Sequence, residues 1–431
     1  MKTIFSKISF IKSKYLAIAF LVLGSLFVGT GLFVNAVSAD EDVEHLPPGV
    51  TYQSDSAALA ADIALTAEQL GFSVESVENA VAFQEEFRKY AEDLLARYPD
   101  QISAVWVEPV PSMKGHIRFT GEVPSEVAKE VAQRGQPDMI ILTGNGMISI
   151  TDNIYRAELA AEALLGLGYQ NAVTFFDVAD NVVRIEVKLP EGVSQPSKLD
   201  IASAMHNRAQ ESRLKGREAI VNTSDIDLTI IRGSGPMITL EHTRGGNWLL
   251  DNSGDDMCTS GWSVFGPNGD GIITAGHCTG YVYQFEQPGV TPYSMTFKSD
   301  VQGSSGDVGY HTTVHDEYDD FYATASEIRD VAYIRATNSM VGYGVCVYGR
   351  SSNSRDCSHV VEAVGVTVVI SGTSTGNQAR TNKHTTIGGD SGGGWSYNTT
   401  AWGVHTGGGG GKSYFTTIVE AENALGVTVK R

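Results

Sequence analysis

The chain has 431 residues, enough for two compact domains, and its 42% apolar content is that of ordinary globular protein. A net charge of −19 argues against a polyanionic partner, because nucleic-acid binders concentrate Lys and Arg on one face. Nucleic acid is therefore excluded as the expected partner.

Four lysines, Lys2, Lys7, Lys12 and Lys14, precede an apolar run from Tyr15 to Val37. The run closes on the small residues Ala36-Val37-Ser38-Ala39 before the acidic Asp40-Glu41-Asp42. This is the layout of a secretory signal peptide, with cleavage expected after Ala39. The run is long for a signal core, so retention of residues 15–37 as a membrane anchor is the alternative.

From Asp40 to about Thr243 the pattern alternates between helix and strand. Ser54 to Leu70 and Val74 to Tyr98 are rich in Ala, Glu and Leu, with apolar residues at helical spacing. Strand-like runs follow at 104–107 and 116–120, then a helical stretch Ser125 to Arg134 and a strand Asp138 to Leu142. The order returns as a helix Arg156 to Leu167, extended runs at 172–178 and 182–189, and a helix Pro196 to Arg213. A repeated α+β unit is expected, though Trp106 to Pro124 and Phe175 to Pro190 echo each other only briefly.

After Arg244 helical patterns nearly vanish. Gly, Ser and Thr punctuate short alternating runs such as 262–265, 331–335 and 360–370, the grammar of an all-β barrel or sandwich. Charge divides at the same place. From Arg244 onward 18 acidic residues face 11 basic ones, a net −7, which leaves about −16 for residues 40–243 once the four leading lysines are set aside. Two folding units are expected, divided near residue 243.

The four cysteines, Cys258, Cys278, Cys346 and Cys357, fall into two short-range pairs and in an exported chain read as disulfides. No C-x-x-C or H-E-x-x-H spacing appears, so neither a metal nor a cofactor is expected. The acidic run Asp316, Glu317, Asp319, Asp320 reads as a solvated hairpin tip.

Acyl transfer by a hydroxyl needs a nucleophile on a tight glycine-flanked turn, where backbone N–H groups can face a developing oxyanion. Gly389-Asp390-Ser391-Gly392-Gly393 is such a turn, with Gly388 before it. Upstream, Ile272-Ile273-Thr274-Ala275-Gly276-His277-Cys278 is a strand ending in a His whose neighbour can be stapled to Cys258. Together, and in this order, the two motifs are highly specific. They resemble those of chymotrypsin-fold serine proteases, in the bacterial branch of alpha-lytic protease and the streptogrisins, over residues 240–431. Arg244-Gly245-Gly246, the run 345–350 closing on Cys357, and Leu425 to Val429 fit the same family.

The resemblance implies a mature all-β domain, 244–431, of two six-stranded antiparallel barrels. It also implies an α+β pro region, 40–243, that assists folding, inhibits the product and is cut away, behind the signal peptide 1–39. Ser391 would be the nucleophile, His277 its base, and the N–H groups of Gly389 and Ser391 the oxyanion hole. A carboxylate must hold His277, and two compete: Asp307, 30 residues downstream at the opening of a strand and favoured by that setting, and Asp330. Asp390 needs a partner, for which Arg350 is the candidate.

His405, Thr406, Gly407 and Gly408 resemble the family strand that walls the primary pocket, with Thr406 where Ser is usual. His405 stands where the family's glutamate-specific streptogrisin relative also has His, and by that resemblance an imidazole facing the pocket predicts preference for an acidic residue at the cleaved position. The two serines that help hold that carboxylate in the glutamate-specific relative are here Gly388 and Gly408, so a small or apolar preference is the alternative, and an inert protease-fold binder is a third reading. The family's third disulfide is absent, its ends falling near His384 or Thr385 and within 407–411. The expected partners are protein or peptide substrates and, transiently, the chain's own pro region, with the enzyme a secreted monomer.

Overall fold

In the computed structural model the described residues are 50–134, 138–211, 222–233, 239–240, 246–250, 256–278, 280, 283–285, 293–313, 317–370 and 373–431. The signal segment 1–39, the expected maturation region around Arg244 and the acidic residue Asp316 lie outside them. Among the described residues no helix is long and apolar enough to cross a membrane.

The N-terminal half opens with two helices, Asp55–Leu70 and Val74–Arg97, separated by a tight stop and start. Gly71 ends the first at φ 73°, a left-handed conformation that glycine adopts without a Cβ penalty, and its N–H bonds back to the Ala67 and Glu68 carbonyls. Ser73 starts the second by accepting the Ser76 N–H on its side chain.

Two β-β-α-β units follow. In the first, Ile102–Val107 and Gly115–Phe119 are antiparallel, and after the helix Ser125–Gln133 the strand Ile140–Thr143 returns parallel to the second strand. In the other, Ala172–Asp177 and Val182–Leu189 are antiparallel, and after the helix Lys198–Glu211 the strand Ile226–Arg232 is again parallel to the second. The repeat that was faint in sequence is thus plain in topology. The strand Val182–Leu189 buries every second residue: Val183, Ile185, Val187 and Leu189 pack in one core with Leu159 and Leu164 of the helix Ile150–Gly166 and Met205 of the helix Lys198–Glu211.

The C-terminal half is almost entirely strands. One sheet of eight carries both Gly271–Thr274 and Gly306–Thr313; the other runs through Gly344–Gly349, Gly394–Tyr397, Thr400–Gly409, Lys412–Thr417, Thr373–Thr381 and Ser354–Ile370. The second sheet does not stop at the boundary between the halves. Ala172–Asp177 pairs antiparallel with Ser354–Ile370, Val173 opposite Val368, so three strands of the N-terminal half extend these six to nine, and the short strands Tyr333–Ile334 and Thr239–Leu240, both paired with Thr400–Gly409, bring the sheet to eleven. The edge strand Ser354–Ile370 is thus completed by the other half of the chain. Cys258 pairs with Cys278 and Cys346 with Cys357, as the spacing led one to expect.

A polar contact locks the first helix onto the strands. Asp62 is fully buried, and its two oxygens accept from Arg355 Nε and Nη2 (2.9 Å each), Arg329 Nη1 (2.9 Å) and the Asn398 N–H (2.7 Å). Burial works to raise the pKa of Asp62, but the Arg355 and Arg329 guanidiniums outweigh it and hold the carboxyl below its usual range. One and two turns further along the same helix, Thr66 donates to the Cys357 carbonyl (3.4 Å) and Gln69 accepts the Cys357 N–H (2.7 Å). Asp62→Ala is expected to cost roughly 3–5 kcal/mol in urea unfolding, because two buried guanidiniums lose their counterion. A loss below about 1 kcal/mol would show that the lock carries no stability.

His311 gives the fold an acid limit. It is fully buried, and neither ring nitrogen has a hydrogen-bond partner. Burial pushes its pKa down to about 4, against a weaker opposing pull from Asp300. The folded state therefore resists protonation that the unfolded chain accepts, so this contribution is complete above pH ~6.5 and is lost as pH falls toward 4. His311→Leu should flatten the stability-versus-pH curve in that window by about 3 kcal/mol. An unchanged slope would mean that other groups set the acid limit.

Candidate active site

His277 follows the strand Gly271–Thr274 and is pinned from two sides. Its neighbour Cys278 is disulfide-bonded to Cys258, and its own N–H donates to Asp307 Oδ1 at 2.9 Å. Its Nδ1 lies 2.7 Å from Asp307 Oδ2. A carboxylate can only accept, so Nδ1 carries the proton and Nε2 is left as the basic nitrogen. Gly276 permits this closeness, since a Cβ there would run into the Val301 carbonyl and the Asp307 carboxylate.

Asp307 opens the strand Gly306–Thr313 and is 3% exposed. Its N–H donates to Thr416 Oγ1 (3.0 Å), which also accepts from Gln378 Nε2 (2.8 Å). Of the two competing aspartates it is Asp307 that touches His277. Asp330 ends the strand Glu327–Asp330 and accepts the Tyr52 hydroxyl at 2.5 Å.

The turn Gly388–Gly393 is stitched to both sheets. The Ser391 carbonyl accepts the Thr259 N–H (2.9 Å), and Cys278 Sγ lies 4.0 Å from the same oxygen, which brings the His277 and Ser391 segments together. Gly392 donates to the His405 carbonyl (2.7 Å), and the His405 N–H returns to the Gly393 carbonyl (2.9 Å). Gly389 and Gly392 sit at φ 115° and 88°, conformations that L residues rarely adopt. Ser391 is 0% exposed, and its hydroxyl donates to the Thr406 carbonyl at 3.4 Å. Asp390 is held by three backbone N–H groups, Ser351 (3.2 Å), Ser352 (3.1 Å) and Ile387 (2.9 Å). Arg350, expected as its partner, stacks over Trp248 and donates to the Tyr348 hydroxyl.

The expected pocket strand is Thr400–Gly409. Gly407 and Gly408 pair with Tyr414 and Ser413 on one side. On the other side they pair with Leu240 and Thr239, a short strand of the preceding half. Gly388 faces open space. His405 is fully buried beside Trp395, whose indole N–H donates to His405 Nδ1 at 3.2 Å.

Sequence reasoning missed the company His405 keeps. His359 meets Trp395 edge-on at 5.0 Å, and its Nε2 lies 2.7 Å from Thr385 Oγ1. Burial above all pushes His359 down to about 4, with Asp356 opposing and His405, Lys383 and His384 adding to the shift. The exposed His384 ring lies over Gly408, where a Cβ would collide with it. Nothing in the spacing of 359, 384 and 405 marks them as neighbours. The sulfurs of Cys258 and Cys278 also lie close to His277, but both are taken up in the disulfide.

No family model matches the chain, and no curated protein does. Among solved structures it is similar to a glutamic acid specific serine protease that utilizes a histidine triad in substrate binding, at 23% identity over 44% of this chain and 100% of that one, with a TM-score of 0.37. It is also similar to Cellulomonas bogoriensis chymotrypsin (24% identity, 44% and 98% covered, TM-score 0.36) and to alpha-lytic protease homolog N4 (24% identity, 44% and 99% covered, TM-score 0.36). The structures it matches include serine proteases of the alpha-lytic and streptogrisin-like branch.

The Trp395 bond makes a prediction about His405. An indole N–H only donates, so Nδ1 accepts and the neutral ring carries its proton on Nε2. In 15N NMR of the labelled chain, His405 Nδ1 should resonate as an unprotonated nitrogen at neutral pH, and Trp395→Phe should release that preference. A protonated Nδ1 in the unsubstituted chain would contradict the hydrogen bond.

Proposed function

We propose that this protein is a secreted serine endopeptidase made as a precursor, with the catalytic triad Ser391, His277 and Asp307. The observation that carries the reading is the His277–Asp307 pair, bonded through both the ring and the backbone N–H, beside a glycine-flanked Ser391. Ser391 Oγ would attack the substrate carbonyl as His277 Nε2 takes its proton, and the same nitrogen would then protonate the leaving amine. Asp307 would hold the tautomer and stabilise the imidazolium. The Gly389 and Ser391 N–H groups would receive the oxyanion, a contribution of about 3 kcal/mol per donor in such sites.

Residues 40–243 would act as the pro region of a two-barrel protease domain, 244–431, behind a cleaved signal peptide. Two features support this: strands of the N-terminal half complete the sheet of the C-terminal half, and Thr239–Leu240 lies along the strand Gly407–Gly408 where substrate backbone would pair. A barrel built from non-local pairings folds slowly, and an edge template of this kind lowers that barrier. The disulfides fit an exported chain. An acidic residue at the cleaved position is the preferred substrate feature, supported by the gathering of His405, His359, His384 and Lys383.

A serine-directed phosphonate should label the processed enzyme at Ser391, and Ser391→Ala should abolish labelling. Asp307→Asn should lower kcat by about 10⁴-fold because the wrong tautomer of His277 is held, whereas Asp330→Asn should leave kcat within a few-fold. An unlabelled Ser391 with no peptide hydrolysis would identify an inert binder. A kcat that collapses on Asp330→Asn but not on Asp307→Asn would overturn the triad assignment.

A further inference from the structure

The carboxylate of Asp62 sits in a cradle built wholly by the C-terminal half. Arg329 comes from the strand Glu327–Asp330, Arg355 from Ser354–Ile370, and the Asn398 N–H from the turn between Gly394–Tyr397 and Thr400–Gly409. Arg355 is aimed by Ser396, whose hydroxyl accepts from its Nη2 at 3.0 Å. The two arginine side chains are 1% and 3% exposed, and among the described residues the ion pairs of both are with Asp62. Burial lowers the Arg329 pKa and the charge of Arg355 lowers it further, with Asp62 opposing. Two cations held side by side out of water need an anion between them. Asp62 does not exhaust the donors of the cradle, because Arg355 Nη1 is buried without a hydrogen-bond partner.

The groups around the cradle bind backbone as well as charge. Thr51–Tyr52 adds a parallel strand to Glu327–Asp330, and the Ser326 and Ile328 carbonyls accept the Thr51 and Gln53 N–H groups at 2.8 Å each. Arg329 Nε donates to Gln53 Oε1 at 2.8 Å, while Cys357 gives its N–H to Gln69 and its carbonyl to Thr66. All of these partners come from residues 51–69. Once that segment leaves with the N-terminal half, a strand edge, two guanidiniums and a backbone N–H are uncovered together. An extended peptide with an acidic side chain satisfies the edge and the cradle at once, whereas a free anion satisfies the cradle alone.

We propose that Arg329, Arg355 and the Asn398 N–H form a second peptide-binding site on the C-terminal half, which receives the Asp or Glu side chain of another polypeptide after the N-terminal half has left. This rests on the precursor reading given above, since Asp62 fills the cradle while the halves are joined. The partner is an extended acidic segment. Its carboxylate takes the four bonds now made to Asp62, and its backbone takes the edge of Glu327–Asp330. The site lies apart from the residues expected to wall the primary pocket, and it gives the enzyme a hold on acidic proteins that is independent of the residue being cleaved.

The first arm of the test uses the full chain. Asp62→Ala vacates the cradle, so formate should raise its urea midpoint above that in chloride of equal ionic strength, while the unsubstituted chain gains nothing. The second arm uses the processed enzyme with a peptidyl phosphonate on Ser391, which fills the primary pocket and prevents digestion of the ligand. Calorimetry should show acetyl-Thr-Val-Asp-Val-Thr-amide binding roughly tenfold or more tightly than the same peptide with Asn, the effect of hydrogen bonds to a charged group. Arg355→Gln should erase that preference while hydrolysis of a short peptide stays within a few-fold, which also shows that the variant has folded. Arg329→Gln serves the same purpose if Arg355→Gln does not fold, and the comparison of Asp with Asn peptides needs no variant. Equal affinity for the two peptides, a preference that survives Arg355→Gln, or formate acting no better than chloride on folded Asp62→Ala would overturn the inference. A chain whose halves never part would overturn it too, and phosphonate labelling with peptide hydrolysis then decides separately whether the endopeptidase reading stands.

Discussion

The strand Thr400–Gly409 is the constraint on which the site depends. Its backbone is shared among Gly394–Tyr397, Lys412–Thr417, Tyr333–Ile334 and Thr239–Leu240, and at His405 it exchanges two hydrogen bonds with the nucleophile turn. The position of Ser391 is thus set by the same strand that pairs with the 239–240 segment. Ser391 and this strand cannot shift independently.

Around this strand, small residues stand where groups must approach closely. Gly276 lets the Asp307 carboxylate reach both the ring and the backbone N–H of His277, and Gly392 tolerates contact with Thr274 and the Thr259 carbonyl. The buried Asp390 carboxylate accepts from three backbone N–H groups, those of Ser351, Ser352 and Ile387, which hold the turn around Ser391.

Contact between the two halves includes a shared apolar core, in which Phe87, Val105 and Ile117 pack with Val345, Val361 and Trp395, together with backbone pairing and side-chain recognition. Backbone pairing, at Ala172–Asp177 and at Thr239–Leu240, completes strand edges. Side-chain recognition, centred on Asp62 with Arg329 and Arg355, adds a charged lock in which one half supplies the anion and the other both cations. Residues 47–431 accordingly form a single compact unit, although composition and charge divide near residue 243.

Much of this was legible in the chain itself. Helices, strands and their repeat follow from local periodicity, so the helix expected at Ser54 to Leu70 is found at Asp55–Leu70 and the strand expected at 182–189 is found there. The motifs T-A-G-H-C and G-D-S-G-G are contiguous, so local order sufficed to mark His277 and Ser391. The choice between Asp307 and Asp330 was not local: in the sequence both stand before apolar, strand-like runs, and only the pairing of Gly271–Thr274 with Gly306–Thr313 brings one of them to the imidazole. The approach of His359, His384 and His405 and the register of Thr239–Leu240 against Gly407–Gly408 likewise join residues far apart in sequence. Residue type and spacing determine which chemistry a segment can perform; which segments meet is decided by sheet pairing, because a strand's hydrogen bonds are satisfied by whichever edge the fold presents.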